Sequence, residues 1–361
     1  MSFIKVTKRA DLPKRLDIII RILAILGAIV AAGIVILCLG LNPFTIFGNM
    51  IFGALGTGLR ISQTITKAIP LIITSLGILI AFKMKFWNIG GEGQIMMGAL
   101  AASFVALNCP FLPKPVLLLL MAAAAMIAGG IWAFIPAIFK AKMGTNETIF
   151  TLMLNYVAIK FVTYLQYGPW RDPSSQGFPK IANFESNAIL PSLFGVNIGW
   201  IIALVLLVVI YIFINHTKKG YEITVVGESL PTAKYAGMNI TSIIVTAMFL
   251  SGGLCGLTGM IQASAIEKTL TCTLSNNYGF TAIITAWLGR LHSVGIFIAC
   301  LAFAIMLQGG AYIQIAMQIP AAVADMIQGI ILFFVLGSDF FLSYKVSFTG
   351  FKKQKGCEIN D

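Results

Sequence analysis

Charged residues are scarce in this chain of 361 residues. Asp, Glu, Lys and Arg make up 11% of it, whereas soluble domains carry about 25%. Hydrophobic residues make up 58%, and several apolar runs reach the ~20 residues that a helix needs to cross ~30 Å of hydrocarbon. Residues 22–41, for example, contain no charge at all. The composition therefore predicts an all-α, polytopic membrane protein rather than a soluble one.

Sequence features of an enzyme are also missing. No Gly-Lys dipeptide occurs, which excludes a Walker A phosphate-binding loop and hence an ATPase on this chain. There are only two histidines and no HExxH motif, and the six cysteines form no CxxC pair or metal-ligand spacing. We therefore expect no catalytic residue, no metal site and no cofactor on this chain.

The apolar runs predict about ten spans with both termini in the cytoplasm. About three quarters of the 25 lysines and arginines then lie at cytoplasmic ends, as the positive-inside rule describes, so that the net charge of +12 needs no nucleic-acid partner. The eighth and ninth spans are short, and a re-entrant segment within residues 279–308 is the alternative. The predicted spans are residues 18–41, 62–82, 89–108, 116–139, 148–167, 196–215, 240–262, 279–289, 293–308 and 320–337.

Residues 1–361 are interpreted as a single transmembrane domain, because no stretch has the composition of a linker between soluble domains. Polar segments interrupt it. They are a basic cytoplasmic N-terminus (1–17), a proline-rich external loop (168–197), a cytoplasmic loop (216–239) and a basic cytoplasmic tail (345–361).

The cytoplasmic loop contains signals for a short helix. Pro231 is suited to a first helical turn and Gly237 to a helix end, and Asn239 or Thr241 can cap the next span. A short, separately capped helix suits an element that docks on a partner and transmits force. From these residues alone, an ordinary interhelical loop is the alternative.

Glu92 is the clearest ionisable residue within a predicted span, where insertion scales assign a charge about 2.5–3.5 kcal/mol. Three of the four residues 90–93 are glycine, which disfavours a continuous helix. Broken helices at membrane depth are tolerated where they line a cavity or are buried in protein. We therefore expect Trp87, Asn88, Glu92 and Gln94 to lie on a translocation path.

A short echo of this segment occurs in the second half. Asn277-Tyr278-Gly279 repeats the Asn-x-Gly order of Asn88-Ile89-Gly90 ahead of a short apolar run. Paired, glycine-interrupted segments are typical of a binding site between repeats. Chance explains a match of this length equally well.

The fifth predicted span carries a polar stripe. Glu147, Thr151 and Asn155 are spaced by four residues, and Asn146 and Tyr156 are adjacent to them. Such a stripe must face protein or water rather than lipid. For Asn155, lining of a path and hydrogen bonding to a neighbouring helix are equally consistent; for Glu147, a path or gate is favoured.

Small residues predict close helix packing in the seventh span. Gly252 and Gly256, and likewise Cys255 and Gly259, are spaced by four residues, which lets helix backbones approach.

Three segments carry a family resemblance. Residues 86–94 read FWNIGGEGQ, residues 146–156 read NETIFTLMLNY, and residues 233–239 read AKYAGMN. In this order and spacing they resemble the permease subunits of ABC importers for nucleosides and simple sugars, in the superfamily of branched-chain amino acid and ribose permeases. The resemblance extends over residues 60–340, and the first two segments look most like the nucleoside branch.

The resemblance implies a multi-pass subunit in a bacterial inner membrane that forms the path for a nucleoside, with a simple sugar or riboflavin as alternatives. It implies a second permease subunit, two cytoplasmic ATP-binding subunits that hold ATP and Mg, and an extracytoplasmic substrate-binding lipoprotein. It also implies that the short cytoplasmic helix couples to the ATPase. The coupling residues are Pro231, Thr232, Lys234, Tyr235, Ala236 and Gly237.

The residues alone leave a second class open. An ion- or proton-coupled secondary transporter or channel would have the same composition, with Glu92 or Glu147 as its ion site.

Overall fold

The computed structural model describes residues 4–8, 14–175 and 177–348, and within them the regular structure is almost entirely helical. The helices are α1 (Lys14–Cys38), α2 (Pro43–Leu55), α3 (Gly58–Lys83), α4 (Gly91–Asn108), α5 (Lys114–Met143), α6 (Glu147–Tyr167), α7 (Gly199–His216), α8 (Lys218–Glu228), α9 (Leu230–Tyr235), α10 (Ile240–Ile261), α11 (Tyr278–Leu288), α12 (Ser293–Met317) and α13 (Ala321–Ser343). The strands are β1 (Ile4–Lys8), β2 (Ser192–Leu193), β3 (Val196–Asn197) and β4 (Tyr344–Phe348).

Six described helices are long and apolar enough to cross a membrane: α3, α5, α6, α7, α10 with the turn that follows it, and α12. A seventh candidate is the end of α1 together with α2, which meet at 116°. The chain is thus a multi-pass helical membrane protein. The count of ten spans and the cytoplasmic position of both termini stay predictions.

Helix boundaries differ from the predicted spans in three places. α2 was not predicted, because 13 residues are too few to cross a bilayer unaided. α8 occupies the first half of the predicted loop 216–239, and α12 continues to Met317, well past the predicted end at residue 308.

The chain divides into two compact units, of which the first comprises Met1–Met50 and Gly310–Asp361. In this unit β1 and β4 form an antiparallel two-stranded sheet, and α1 packs against α13. β4 forms the start of what was predicted as a tail. The predicted terminal segments otherwise include residues 1–3, 9–13 and 349–361, which lie outside the described residues. The unit's buried apolar core consists of Ala32, Ile36, Ile46, Met50, Ile313, Ile319, Ala324 and Ile327.

The second unit, Ile51–Gly309, contains the predicted site residues. α3 is the most buried of its candidate spans. α4, α5 and α10 cross at glycines: a Cβ atom at Gly98 would overlap Gly256 Cα, and one at Gly129 would lie 2.7 Å from the same atom. Close packing by small residues in α10 is therefore confirmed.

The predicted external loop is ordered against the end of α10. A π-helical turn, Gln262–Glu267, extends that helix, and the residues after it hold the loop. Thr269 Oγ1 donates to Ile181 O (2.9 Å), and Phe184 N donates to Lys268 O (2.9 Å). Apart from the 3₁₀ turn Ser186–Ala188, the described part of the loop is not helical, as the prolines predict.

We predict that Gly256→Ala destabilises the protein. A Cβ atom there would overlap the Ala125 carbonyl oxygen of α5, and overpacking of this kind costs about 1–3 kcal/mol. The melting temperature of the detergent-purified protein should therefore fall. Gly48→Ala in α2 is the matched control, because among the described residues no atom beyond the neighbouring helix backbone lies within 4 Å of its added Cβ, and alanine favours helix. An unchanged melting temperature for Gly256→Ala would contradict the close crossing.

Candidate functional site

The site is built around a break between α3 and α4. α3 ends at Lys83 and α4 begins at Gly91, so the intervening backbone lacks a continuous helical ladder. Lys85 has a positive φ of 55°, and Gly90, the N-cap residue of α4, has no side chain with which to cap that helix. The glycine-rich sequence predicted this break. Asn88 and Gly90 in this segment are buried, so its free N–H and C=O groups need partners inside the protein.

Two residues of α6 supply partners on both sides of the break. Asn155 Nδ2 donates to Ile89 O (2.7 Å), and Asn155 Oδ1 accepts from Gly93 N (2.8 Å). Thr151 Oγ1 accepts from Ile89 N (3.2 Å). Both side chains are buried. The polar stripe predicted on this span therefore faces protein, and Asn155 acts in the structure as a bridge between helices.

Asn88 lies within the break and hydrogen-bonds to the residues around it. Its Oδ1 accepts from Gly90 N and from Gln94 Nε2, both at 3.0 Å. Its Nδ2 donates to Gln94 Oε1 (3.2 Å) and to Ser251 Oγ of α10 (3.3 Å). Asn88 and Gln94 thus form a fully buried amide pair that fixes the entry into α4.

Glu92 joins the break to the start of α11. Its Oε1 accepts from Gly279 N (2.8 Å), the second residue of that helix, where a negative or polar acceptor is favoured. The two helix starts touch: a Cβ atom at Gly91 would lie 3.3 Å from Gly279 Cα. The second Asn-x-Gly segment therefore meets the residues that directly follow the first one, and glycine at positions 91 and 279 permits this close approach.

The Glu92 carboxyl group is 1% exposed. The ion pairs found among the described residues are Lys140–Glu147 and Lys219–Glu222, and neither involves Glu92. Its Oε2 has no hydrogen-bond donor within the described part of the chain. Within the described part of the chain, Glu92 therefore acts as a hydrogen-bond acceptor for the start of α11.

Gln262 is a neighbouring residue that the sequence did not single out. It is buried at the start of the π-helical turn, its side chain hydrogen-bonds to Tyr278, and its Nε2 has no partner among the described residues. The signal that could have found it is an amide at the end of an otherwise apolar span.

The other predicted path residues of α6 and its cap lie outside this buried network. Asn146 is exposed and caps α6 by accepting from Thr148 N (3.0 Å). Glu147 forms an ion pair with Lys140 (2.8 Å), and Tyr156 is exposed. Of the nine predicted residues, the structure gathers Asn88, Glu92, Gln94, Thr151 and Asn155 into one buried network.

Trp87 is an exposed residue of the break. It is 45% exposed and packs against Trp287 of α11, with ring centroids 5.5 Å apart. Trp287 was missed by sequence reasoning, because only the fold brings α11 beside residue 87.

The predicted short helix is present as α9. Ser229 Oγ accepts from Thr232 N (3.3 Å), Pro231 lies in the first turn, and Gly237 adopts a positive φ of 72°. Asn239, rather than Thr241, caps α10. The remaining predicted coupling residues, Lys234, Tyr235 and Ala236, are exposed, and Tyr235 reaches 98%.

α9 is connected to the break through the preceding helix. A Cβ atom at Gly227 of α8 would overlap the Lys83 carbonyl oxygen and lie 2.9 Å from Met84 Cα. The end of α8 therefore packs directly on the end of α3, where the broken segment begins.

Comparisons with known proteins agree over most of the chain. A family model described as branched-chain amino acid transport system / permease component matches residues 60–336. A glucose ABC transporter permease protein of Haloferax volcanii is 33% identical over 338 residues, covering 90% of this chain and 88% of that protein. A guanosine ABC transporter permease protein of Bacillus subtilis is 30% identical over 357 residues, covering 95% and 99%. A nucleoside ABC transporter permease protein of Lactococcus lactis is 30% identical over 333 residues, covering 89% and 91%.

We predict that Glu92→Gln leaves the melting temperature of the purified protein close to wild type, because the amide oxygen can still accept from Gly279 N. Glu92→Leu should lower stability by about 1–3 kcal/mol, since it leaves a buried N–H without a partner. Glu147→Gln, which weakens a partly exposed ion pair, is the control and should cost about 1 kcal/mol or less. A fall for Glu92→Gln as large as for Glu92→Leu would show that the charge is what matters.

Proposed function

Because the chain belongs to the permease components of branched-chain amino acid type ABC transport systems, we propose that it forms the translocation path of an ATP-driven importer for a nucleoside. The observation that carries this proposal is the meeting of two glycine-broken helix starts, at Gly91 and Gly279, inside a bundle of membrane-spanning helices. Non-helical backbone at membrane depth is tolerated where it lines a path or is buried beside one.

We further propose ten spans, with both termini on the cytoplasmic side of a bacterial inner membrane. The distribution of lysine and arginine supports this orientation. It places α8 and α9 on the cytoplasmic side and the ordered loop around residues 181–197 outside.

Permease components of ABC systems work with ATP-binding and substrate-binding partners. The proposed assembly contains a second, different permease subunit, two cytoplasmic ATP-binding subunits and an extracytoplasmic substrate-binding lipoprotein. ATP and Mg would bind to the ATP-binding subunits, and this chain would contribute transport without catalysis.

In the proposed mechanism, the buried network and the exposed side chains have different roles. Asn88, Glu92 and Asn155 hold the broken backbone in shape, since their hydrogen-bonding groups are engaged with it. Accessible groups such as Trp87 can contact a solute that moves past. Transient contacts are sufficient, because affinity can reside in the lipoprotein and a tightly binding path would slow release.

α9 is the proposed docking element for an ATP-binding subunit. Its exposed Lys234 and Tyr235 are available to a partner, while Ala233 is buried and anchors the helix. A displacement of α9 would reach the break through Gly227, which packs on Lys83. The displacement of α9 would thus act on the segment after Lys83, where the backbone is not held by a continuous helix.

A simple sugar is the second candidate solute, because one of the relatives described above is a glucose permease protein. Riboflavin is the third candidate solute, because a probable riboflavin import permease protein of Treponema pallidum is 27% identical over 281 residues. A nucleoside is favoured by two relatives named for nucleosides and by accessible tryptophan surface beside the break.

We expect disruption of the gene in its native host to abolish uptake of radiolabelled guanosine or uridine, and a plasmid copy to restore it. Uptake of glucose and riboflavin should be unchanged. Right-side-out vesicles loaded with ATP should take up nucleoside in the presence of a protonophore. Loss of glucose or riboflavin uptake instead would contradict the solute, and uptake driven by a proton gradient without ATP would contradict the mode of coupling.

We expect Tyr235→Ala to lower ATP-driven uptake by about tenfold while the permease remains at normal abundance, because an exposed aromatic anchor would be lost from the docking surface. Tyr164→Ala is the control. Tyr164 is also exposed but belongs to α6, so this variant should leave uptake unchanged. A cysteine introduced at Thr232 or Lys234 should cross-link to the ATP-binding subunit. Labelling of these cysteines by an impermeant reagent from outside intact cells would overturn both the topology and the docking role.

A further inference from the structure

A cleft of about 350 Å³ opens beside the broken segment, where α3 ends. Its lining includes Phe82 and Trp87 from around the end of α3, Thr224 and Glu228 of α8, and Trp287 of α11. Its size is in the range of pockets that bind small molecules.

Aromatic rings form one wall of this cleft. Trp87 and Trp287 stack with an interplanar angle of 27°, and the Phe82 centroid lies 5.5 Å from Trp87 and 5.9 Å from Trp287. The two indoles are 45% and 38% exposed, so much of their ring surface is left uncovered by the described residues. Such surface favours a planar, π-rich ligand.

The lining of the cleft is mainly apolar, but it also includes Lys83, Lys85, Thr224 and Glu228. Charged side chains do not face the hydrocarbon of a bilayer without a large cost, so this surface is not explained as a lipid-facing patch. These residues carry cationic donors, a hydroxyl group and a carboxylate acceptor, which are groups that can hydrogen-bond to the edge of a nucleobase.

We propose that this aromatic cleft is a binding subsite for the planar base of a nucleoside, with Trp287 as a specificity-determining residue. The inference rests on the proposed function and deepens it. Base stacking on aromatic side chains recognises the π face of a base, which a simple sugar does not have. The proposed subsite therefore contacts the base of a nucleoside rather than its ribose.

The position of the cleft links the subsite to the docking element. Thr224 and Glu228 belong to α8, and α9 begins at Leu230, two residues after Glu228. Part of the cleft lining is therefore carried by the segment that leads directly into α9. Movement of α9 would displace this part of the lining.

The test uses the complete transporter in membranes of the native host. Photolysis with 8-azidoguanosine should label a peptide from residues 82–87 or 278–288, and excess guanosine, but not glucose, should prevent the labelling. Trp287→Ala should lower the rate of guanosine uptake by about tenfold, the effect of losing one base-stacking contact, and Trp287→Phe should restore most of it. Trp200→Ala, a tryptophan substitution outside the cleft, is the matched control and should keep uptake near wild type.

Two outcomes would overturn the subsite while leaving the proposed function intact. One is wild-type guanosine uptake by Trp287→Ala at normal abundance. The other is labelling confined to peptides outside the cleft. A failure of the proposed function looks different, because wild-type membranes would then show no gene-dependent guanosine uptake at all.

Discussion

The structure of the site depends on one constraint: backbone polar groups away from water must find partners inside the protein. The break between α3 and α4 removes the helical hydrogen bonds that would otherwise provide them. Asn155 and Thr151 of α6, Asn88 of the break itself and Glu92 supply the replacements, each at hydrogen-bond distance from a backbone group around residues 89–93 or from the start of α11. These residues look like a solute path in the sequence because they are polar at membrane depth. In the structure the same polarity is used to hold an irregular backbone.

Glycine residues allow the helices of the site to approach each other closely. Gly91 and Gly279 let two helix starts meet, and Gly98 and Gly256 let α4 lie against α10. Because side chains are absent at these contacts, the helices are close enough for short amide and carboxyl side chains to bridge them. A larger residue at Gly279 would meet the Glu92 backbone nitrogen, so the Glu92–Gly279 hydrogen bond and the glycine depend on each other.

Local patterns in the sequence were sufficient for several features. The cluster of glycines around Glu92 predicted the break, the spacing by four residues placed Thr151 and Asn155 on one buried face, and Pro231 and Gly237 predicted α9. The resemblance to ABC importer permeases is confirmed by the family match and the relatives.

The contacts of residues 87–94 could not be predicted. Their partners Gly279, Ser251 and Trp287 are distant in sequence, and only the fold brings them near. The pairing of β1 with β4 was missed for the same reason, since it joins the two ends of the chain. α8 was missed because a helix of eleven residues with polar ends has the composition of a loop.

The buried network and the aromatic cleft share the same short segment, residues 82–94. The network fixes the backbone of this segment, and the cleft exposes its aromatic side chains. Asn88 is fully buried and its amide is saturated with hydrogen bonds, whereas Trp87, one residue earlier, leaves almost half of its surface accessible. A rigid neighbour fixes the backbone of an exposed ring, so the ring can present its face without a large loss of side-chain freedom on binding. The end of α8 packs on Lys83, four residues before Trp87. On the proposed function, motion that enters through α9 would therefore shift the cleft wall and the start of the break, while the network keeps α4 and α11 together.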